Sequence, residues 1–355
     1  MATTNQVWYH NITLDLLVQI CQRSVFHPFI AWLVPLCQRA VGASYTSFEV
    51  RLTCAYAAAV TLAWILGSVN QRIAYGAPRQ PVPGDDVVVI TGGANGLGKI
   101  LADMYGMRGA SVAVLDVQEP EERSEASKDV KYYLCDVGDA AAVTQAKEKI
   151  ETDLGIPTIL INNAGIVSGK ALLDLTDGEI ERTIRVNLLS HFHTIRAFLP
   201  GILKSECGGT VVTIASVLGK LGAARLSDYT AAKAGLIAMH TSLKAELESP
   251  VAPKEAERVR LILVTPGQMT TRLFCGVQTP SNFFGPVVEP VELANEIVRM
   301  TEAGKGGEIS LPFYAQHIAW FHVLPVGLQI LVRKVGGVDR AMEEFGRPNS
   351  IMGSR

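Results

Sequence analysis

Apolar positions along this chain fall into two arrangements. Over the first 80 residues they form long runs. Between Arg51 and Arg72 lie 20 uncharged residues, LTCAYAAAVTLAWILGSVNQ, which as a helix would be ~30 Å long and could just span a hydrocarbon core. The upstream run Ser24 to Gln38 is shorter and holds Pro28 and Pro35, so it reads as a re-entrant or interfacial segment. Both start too far into the chain for a cleaved signal peptide. Residues 1–80 are therefore expected to be a membrane-anchoring region, with Trp64 near one interface; the alternative is a buried helix packed on the domain that follows. Arg23, Arg39 and Arg51 on one side balance Arg72 and Arg79 on the other, so charge does not fix an orientation. Asn11-Ile-Thr13 is a glycosylation acceptor only if that end is lumenal.

After Pro81 and Pro83 short apolar runs alternate with helical patterns, the signature of a parallel sheet covered on both faces. The spacing predicts strands at Asp86–Thr91, Ser111–Leu115, Val130–Cys135, Thr158–Ile161 and Thr210–Ala215, and a helix over Ser227–Ala245. The expected fold is α/β, a doubly wound parallel sheet over residues 81–312, followed by a hydrophobic extension over 313–355. Ile309 to Val332 lacks Asp, Glu, Lys and Arg but is broken by Pro312 and Pro325. With Trp320, Phe321 and Leu328 it suits surface contact with a membrane better than a span.

Composition narrows the function classes. Of 355 residues, 48% are hydrophobic and 19% charged, which is rich for a soluble protein and agrees with membrane contact. Lys plus Arg number 32 against 34 for Asp plus Glu, so no basic field draws nucleic acid. Cysteines at 21, 37, 54, 135, 207 and 275 have neither C-x-x-C nor His/Cys ligand spacing, so no disulfide framework and no metal site is expected.

The chemistry is concentrated at strand ends. Gly92-Gly-Ala-Asn95-Gly96-Leu97-Gly98 sits between a strand and a helix, where glycines let the backbone approach a pyrophosphate met by the helix N-terminus. Asp116 ends the second strand 18 residues after Gly98. A carboxylate there accepts from ribose hydroxyls and repels a 2′-phosphate, which argues for NAD over NADP; the plain alternative is an Asp that starts a turn. Asn163, in Asn162-Asn163-Ala164-Gly165, either ties strand ends together and touches the cofactor or forms a turn. Tyr229 and Lys233 are four apart on the predicted helix and share a face. A cation beside the phenol favours the phenolate and brings it nearer to acid/base work at neutral pH. Ser216 ends the strand opposite and can hold a substrate oxygen. His191 and His193, two apart, do not share a helix face, so packing or surface roles are expected of them.

Together these residues resemble the short-chain dehydrogenase/reductase family over about residues 84–312. The family's Thr-Gly-x-x-x-Gly-x-Gly falls on Thr91 to Gly98, its adenine-contacting Asp on Asp136 with Val137 beside it, and its Asn-Asn-Ala-Gly on Asn162 to Gly165. Its catalytic Asn falls on Asn187 and its Ser, Tyr and Lys on Ser216, Tyr229 and Lys233. Its Pro-Gly with a downstream Thr falls on Pro266, Gly267 and Thr270 or Thr271, with Thr270 the candidate. The resemblance implies a Rossmann-type fold and hydride exchange with a nicotinamide cofactor. In it Tyr229 exchanges the proton, Ser216 holds the oxygen, Lys233 lowers the tyrosine pKa and binds the nicotinamide ribose, and Asn187 holds a water that links Lys233 to solvent.

The segment Gln268 to Pro286, with Phe274, Phe283 and Phe284, reads as a lid over an apolar ligand. The ends are similar to the family's membrane-bound retinol and hydroxysteroid dehydrogenases of endoplasmic reticulum and lipid droplets. That implies a retinoid, steroid or fatty-chain alcohol as substrate, a catalytic domain facing the cytosol, and a homodimer as a possible assembly. A ketoreductase of lipid synthesis is the alternative enzyme, and a non-catalytic membrane or droplet scaffold the alternative of another class.

Overall fold

The computed structural model describes residues 12–80, 86–120, 130–274, 281–340, 342 and 345. The chain divides into two compact units, one of residues 1–76 with 282–284 and the other of residues 77–281 with 285–355.

The first unit is helical. Helix α1 (Leu14–Arg23) is capped by Thr13, whose hydroxyl accepts from Leu16 N at 3.1 Å. Helix α2 (Pro28–Ala40) begins on Pro28, where a missing N–H costs nothing, and runs on through Pro35. Helix α3 (Phe48–Tyr75) has 28 residues, about 42 Å at ~1.5 Å per residue. It extends beyond the uncharged run at both ends. Helices α2 and α3 are pinned by Trp32 Nε1 donating to Thr61 Oγ1 at 3.0 Å and Thr53 Oγ1 to Gln38 Oε1 at 2.8 Å. The small faces of Ala31, Val50 and Ala57 are buried, while Leu52, Leu62, Trp64, Ile65 and Leu66 are exposed. Among the described residues α3 is the one helix long and apolar enough to cross a membrane.

The second unit is built on seven parallel strands in the order β3-β2-β1-β4-β5-β6-β7. They are β1 (Val87–Thr91), β2 (Ser111–Asp116), β3 (Val130–Leu134), β4 (Ile159–Asn162), β5 (Gly209–Ile214), β6 (Val259–Val264) and β7 (Gly307–Ile309). The helices between them are α4 (Gly96–Met107), α5 (Ala140–Asp153), α6 (Asp177–Ile184), α7 (Ser190–Lys204), α8 (Ser227–Leu247) and α9 (Pro290–Glu302). Side chains alternate through the sheet as the period of two demands. Val88 and Ile90 join the core under α4 and α9, whereas Val87 and Val89 join the core under α5 and α7. With both faces covered, β1, β4, β5 and β6 are buried at every position, as buried parallel strands must be apolar throughout.

The order reverses between β1 and β4, and in open α/β sheets that crevice at the carboxyl ends is where ligands bind. Past β7 come α10 (Phe313–His317), a 3-10 turn over Ile318–Val323 and α11 (Val326–Val335). Pro312 and Pro325, expected as interruptions, stand immediately before the two helices. No residue of α11 is buried. Residues 313–340, 342 and 345 belong to the same unit as the sheet.

Candidate active site

The carboxyl ends of the strands are laced together before any ligand is considered. Thr91 Oγ1 accepts from the backbone N–H groups of Asn163 and Ala164, both at 3.0 Å. Asn163 Nδ2 donates in return to the carbonyls of Thr91 at 3.1 Å and Gly92 at 2.9 Å. Helix α4 starts hard against this knot. A Cβ on Gly98 would lie 2.3 Å from Gly92 O and 2.6 Å from Asn163 Nδ2, so only glycine lets the helix begin there.

The crevice beside the knot is a cavity of about 500 Å³, a usual size for a ligand site. Its wall includes Gly92, Asn95, Gly96 and Leu97 from the glycine turn, then Asp116, Asp136 and Val137 from the next two strand ends. Asn163, Ala164 and Gly165 follow β4, and Ser216, Tyr229, Lys233, Pro266 and Gly267 complete the expected set. Asp116 is anchored by backbone donors: Oδ2 accepts from Ala94 N at 2.9 Å and Oδ1 from Gln118 N at 3.1 Å.

Four expected residues do not line the cavity. Thr91 and Gly98 hold the wall from behind, as described. Asn187 does so too: Oδ1 accepts from Ile166 N at 2.7 Å and Nδ2 donates to Ile166 O at 2.8 Å. It lies on a π-helical turn, Arg185–Leu189, between α6 and α7; such turns recur at functional sites. The fourth is Thr270, whose hydroxyl is directed to Val288 O at 3.5 Å. Thr271 lines the cavity in its place, with a buried Oγ1 that has no protein partner.

At the inner end of the cavity stand Ser216 and Tyr229, 5% and 3% exposed. Ser216 sits just past β5 in extended conformation, with its hydroxyl accepting from Leu218 N at 3.1 Å. Tyr229 lies in the first turn of α8. Burial pushes its phenol above the ordinary value, and a hydrogen bond from Ser216 acts against that. Desolvation governs the buried phenol, so the downward pull expected from Lys233 does not bring it below its ordinary value. Lys233 Nζ is 5.7 Å from the centre of the Tyr229 ring and donates to Ile214 O at 2.8 Å. Burial lowers it from 10.5 to about 8. A Cβ placed on Gly165 would be 3.5 Å from Asn187 Oδ1 and 3.8 Å from Lys233 Nζ, so Asn187 and Lys233 border the same small space.

No group of three or more His, Cys, Asp or Glu side chains placed to hold a metal ion occurs among the described residues. His191 is fully buried, and burial with the nearby Lys233 charge holds it well below the usual imidazole value. His193 places Nδ1 3.2 Å from Val137 O. Of the lid residues, Phe274 packs edge-on against Tyr229 with centroids 5.7 Å apart. Phe283 and Phe284 pack on each other within the helical unit, and residues 275–280 lie outside the described set.

Comparison with known proteins decides the family. The short chain dehydrogenase family pattern matches residues 86–280, more than half of the chain. The chain belongs to the short-chain dehydrogenase/reductase family. Retinol dehydrogenase 10-B of Danio rerio is 31% identical over 297 residues, 76% of this chain and 87% of that protein. Short-chain dehydrogenase/reductase family 16C member 6 of Bos taurus is 32% identical, covering 73% and 83%. An uncharacterized oxidoreductase of Saccharomyces cerevisiae is 32% identical, covering 71% and 82%. The fold matches ligand-free aldohexose dehydrogenase of Thermoplasma acidophilum with a TM-score of 0.54 at 23% identity, over 64% of this chain and 92% of that one.

The protein is thus an oxidoreductase of CH–OH groups that works with a nicotinamide cofactor. The glycine cradle, the anchored Asp116 carboxylate and the unpartnered Thr271 hydroxyl fit such a dinucleotide. Residues the sequence alone did not disclose also line the short-chain dehydrogenase/reductase cavity: Arg182, Arg185, Val186, Ile166 and Leu273. Arg182 and Arg185 are three apart on the helix that carries Asn187. That spacing was readable, but which face met the cavity was not.

Proposed function

We propose that this enzyme interconverts a lipophilic alcohol of retinoid, steroid or fatty-chain type and its carbonyl, at a membrane, with NAD preferred over NADP. The observation that carries this is the apolar setting of the proton-exchanging group. Tyr229 and Ser216 line the cavity, whose wall also carries Ile166, Val186, Met269, Leu273 and Phe274. An apolar pocket with two convergent hydroxyls fixes the position of one oxygen and leaves the rest of the substrate to hydrophobic contact.

The nicotinamide supplies hydride acceptance or donation; the protein supplies orientation and electrostatics. Ser216 holds the substrate oxygen and Tyr229 exchanges the proton with it. Lys233 binds the nicotinamide ribose, and its charge beside Tyr229 favours the phenolate once the cofactor is in place. Asn187, fixed on its π turn, holds a water that passes the proton onward to solvent. Gly92, Asn95, Gly96 and Leu97 with Asn163 would hold the pyrophosphate at the start of α4, with Thr91 and Gly98 keeping that turn in place. Asp136 and Val137 would hold the adenine, Asp116 would accept from the ribose hydroxyls, and Pro266, Gly267 and Thr271 would hold the carboxamide. The Asp116 carboxylate is what disfavours a 2′-phosphate.

Helix α3 is the membrane anchor in this reading, and the exposed apolar face of α11 adds surface contact. Retinol dehydrogenase names among the relatives agree with a lipophilic substrate and a membrane of the endoplasmic reticulum or lipid droplet, with the catalytic unit on the cytosolic side; a homodimer is compatible. One experiment tests the whole reading. Full-length protein is recovered from membranes after an alkaline carbonate wash, solubilised in detergent and assayed on graded alcohols and ketones with NAD and NADP. Retention in the pellet and NAD-dependent turnover of lipophilic alcohols are expected. Release by the wash removes the anchor, and turnover restricted to small polar alcohols removes the substrate class.

A further inference from the structure

The lining of the cavity is unevenly charged. Its acidic residues are Asp116 and Asp136, and its basic ones are Arg182, Arg185 and Lys233. Both Asp116 oxygens accept from backbone N–H groups, and Asp136 Oδ1 accepts from Gly138 N at 2.9 Å. Lys233 is engaged at the inner end, where it donates to Ile214 O. The glycine turn Gly92–Gly98 has no basic side chain, and Lys99, the next residue, pairs with Asp103 at 3.1 Å. A dinucleotide would bring the two negative charges of its diphosphate into a space that already holds two carboxylates. The first turn of α4 can meet part of that charge with N–H groups that the Asn95 side chain leaves uncapped. A helix end is worth only about half an elementary charge.

Arg182 and Arg185 are placed to supply the remainder. Both are exposed, and among the described residues neither guanidinium has a hydrogen-bond or ion-pair partner. Partners were within reach by spacing. Glu181 stands four residues before Arg185, the favoured order for a helix ion pair, and Glu179 stands three before Arg182. Glu179 pairs with Lys170 instead, and the Arg185 stem lies over Gly138: a Cβ on that glycine would be 2.9 Å from Arg185 Cγ and 3.2 Å from Nε. The helix is also fixed in rotation. Thr183 Oγ1 donates to the buried Asp228 at 2.8 Å, and Asn187 is held twice by Ile166. Helix α4 packs on one face of the sheet and α7 on the other, so the glycine turn and the arginines border the cavity from two sides. Like charges at neighbouring positions of a helix repel; an anion in the cavity turns that cost into a gain.

We propose that Arg182 and Arg185 form a cationic wall that receives the cofactor's diphosphate from the side opposite the glycine turn. This rests on the dinucleotide reading of the crevice and adds side-chain charge to a site otherwise made of backbone. Guanidinium groups suit the role, being planar, permanently charged and able to donate to phosphate oxygens in pairs. Standing at an exposed rim, they also draw the anion in from solvent. Their contribution is therefore one that salt screens.

The test uses detergent-solubilised full-length protein and ADP-ribose, which carries the diphosphate without the nicotinamide, titrated by calorimetry at low and at high salt. Arg182→Gln and Arg185→Gln should each weaken ADP-ribose binding by roughly tenfold at low salt, the worth of one hydrogen bond to a charged group. The double variant should lose most of the salt dependence that wild type shows. Arg182→Lys and Arg185→Lys, which keep the charge and lose the fork, should recover part of the affinity. KM for NAD should rise in the same order, with melting temperatures unmoved because both residues are exposed and unpaired. A double variant with wild-type affinity and salt dependence overturns the proposal. So does weakened binding with the wild-type salt dependence, because the arginines would then act through packing and not charge. A wild-type protein that binds neither ADP-ribose nor NAD overturns the cofactor reading itself, a result distinct from any the variants can give.

Discussion

The two halves of the active-site crevice are specified by different means. The half around Gly92–Gly98 is made of backbone. Its tolerances are set by carbonyls and N–H groups, with Gly98 admitting no added atom beside Gly92 O at 2.3 Å and Asp116 clamped between two backbone donors. The half around Tyr229 is made of side chains from segments far apart in sequence, including Ile166, Val186, Ser216 and Phe274. A common cofactor needs one unvarying cradle, and backbone provides it. A site that must distinguish one alcohol from another needs a surface that sequence change can remodel without disturbing the sheet.

The sharpest way to expose the contrast is to remove one atom from the side-chain half. Tyr229→Phe deletes only the phenol oxygen, which no fold-defining contact uses. Turnover should fall by about 10² to 10⁴-fold or more, the worth of a positioned proton donor, while NAD affinity and melting temperature stay close to wild type. Steady-state rates beside a cofactor titration check it. Turnover within a few fold of wild type would remove Tyr229 from the chemistry.

Adding one atom to the backbone half should do the opposite. Gly98→Ala carries no chemistry, yet its methyl meets Gly92 O and Asn163 Nδ2, neither of which can yield without opening the knot between β1 and β4. A loss of about 3 kcal/mol in stability is expected, at the upper end for overpacking, together with weakened NAD binding. Denaturant unfolding and the same titration measure both. Unchanged affinity would show that helix α4 can start elsewhere without cost.

This contrast also explains what could be read from the sequence. The first five strands were legible to within about one residue, Thr158–Ile161 being expected where β4 runs Ile159–Asn162, and the helix expected over 227–245 runs Ser227–Leu247, whereas β6 and β7 were not placed. Backbone sites announce themselves locally, because a glycine spacing or a Tyr-x-x-x-Lys repeat is complete within one turn or one helix face. Thr270 and Thr271 stayed open from the sequence because the bridge between Met269 and Val288 after Pro266-Gly267 involves residues 19 positions apart. The π turn under Asn187 leaves no spacing signature.

Lys233 belongs to both halves, and its titration gives the smallest and most specific effect. Burial lowers it from 10.5 to about 8, so the unfolded chain holds this proton more tightly than the folded one does. The penalty for burying the ammonium is therefore present in full below about pH 8 and is relieved as pH rises towards 10.5. On that account the folded state gains up to ~3 kcal/mol from this group across the window, at ~1.36 kcal/mol per unit. Over the same window the charge that the proposed mechanism assigns to favouring the Tyr229 phenolate and holding the cofactor ribose is lost, so turnover should decline while stability contributed by this residue rises. Lys233→Met isolates the effect. Its denaturation midpoint should lack the rise that wild type shows between pH 8 and 10, whatever other groups titrate in both proteins. Parallel midpoint curves for the two proteins would mean that Lys233 keeps an ordinary pKa, and that the ammonium is better solvated than its burial between Ile214 and Gly165 indicates.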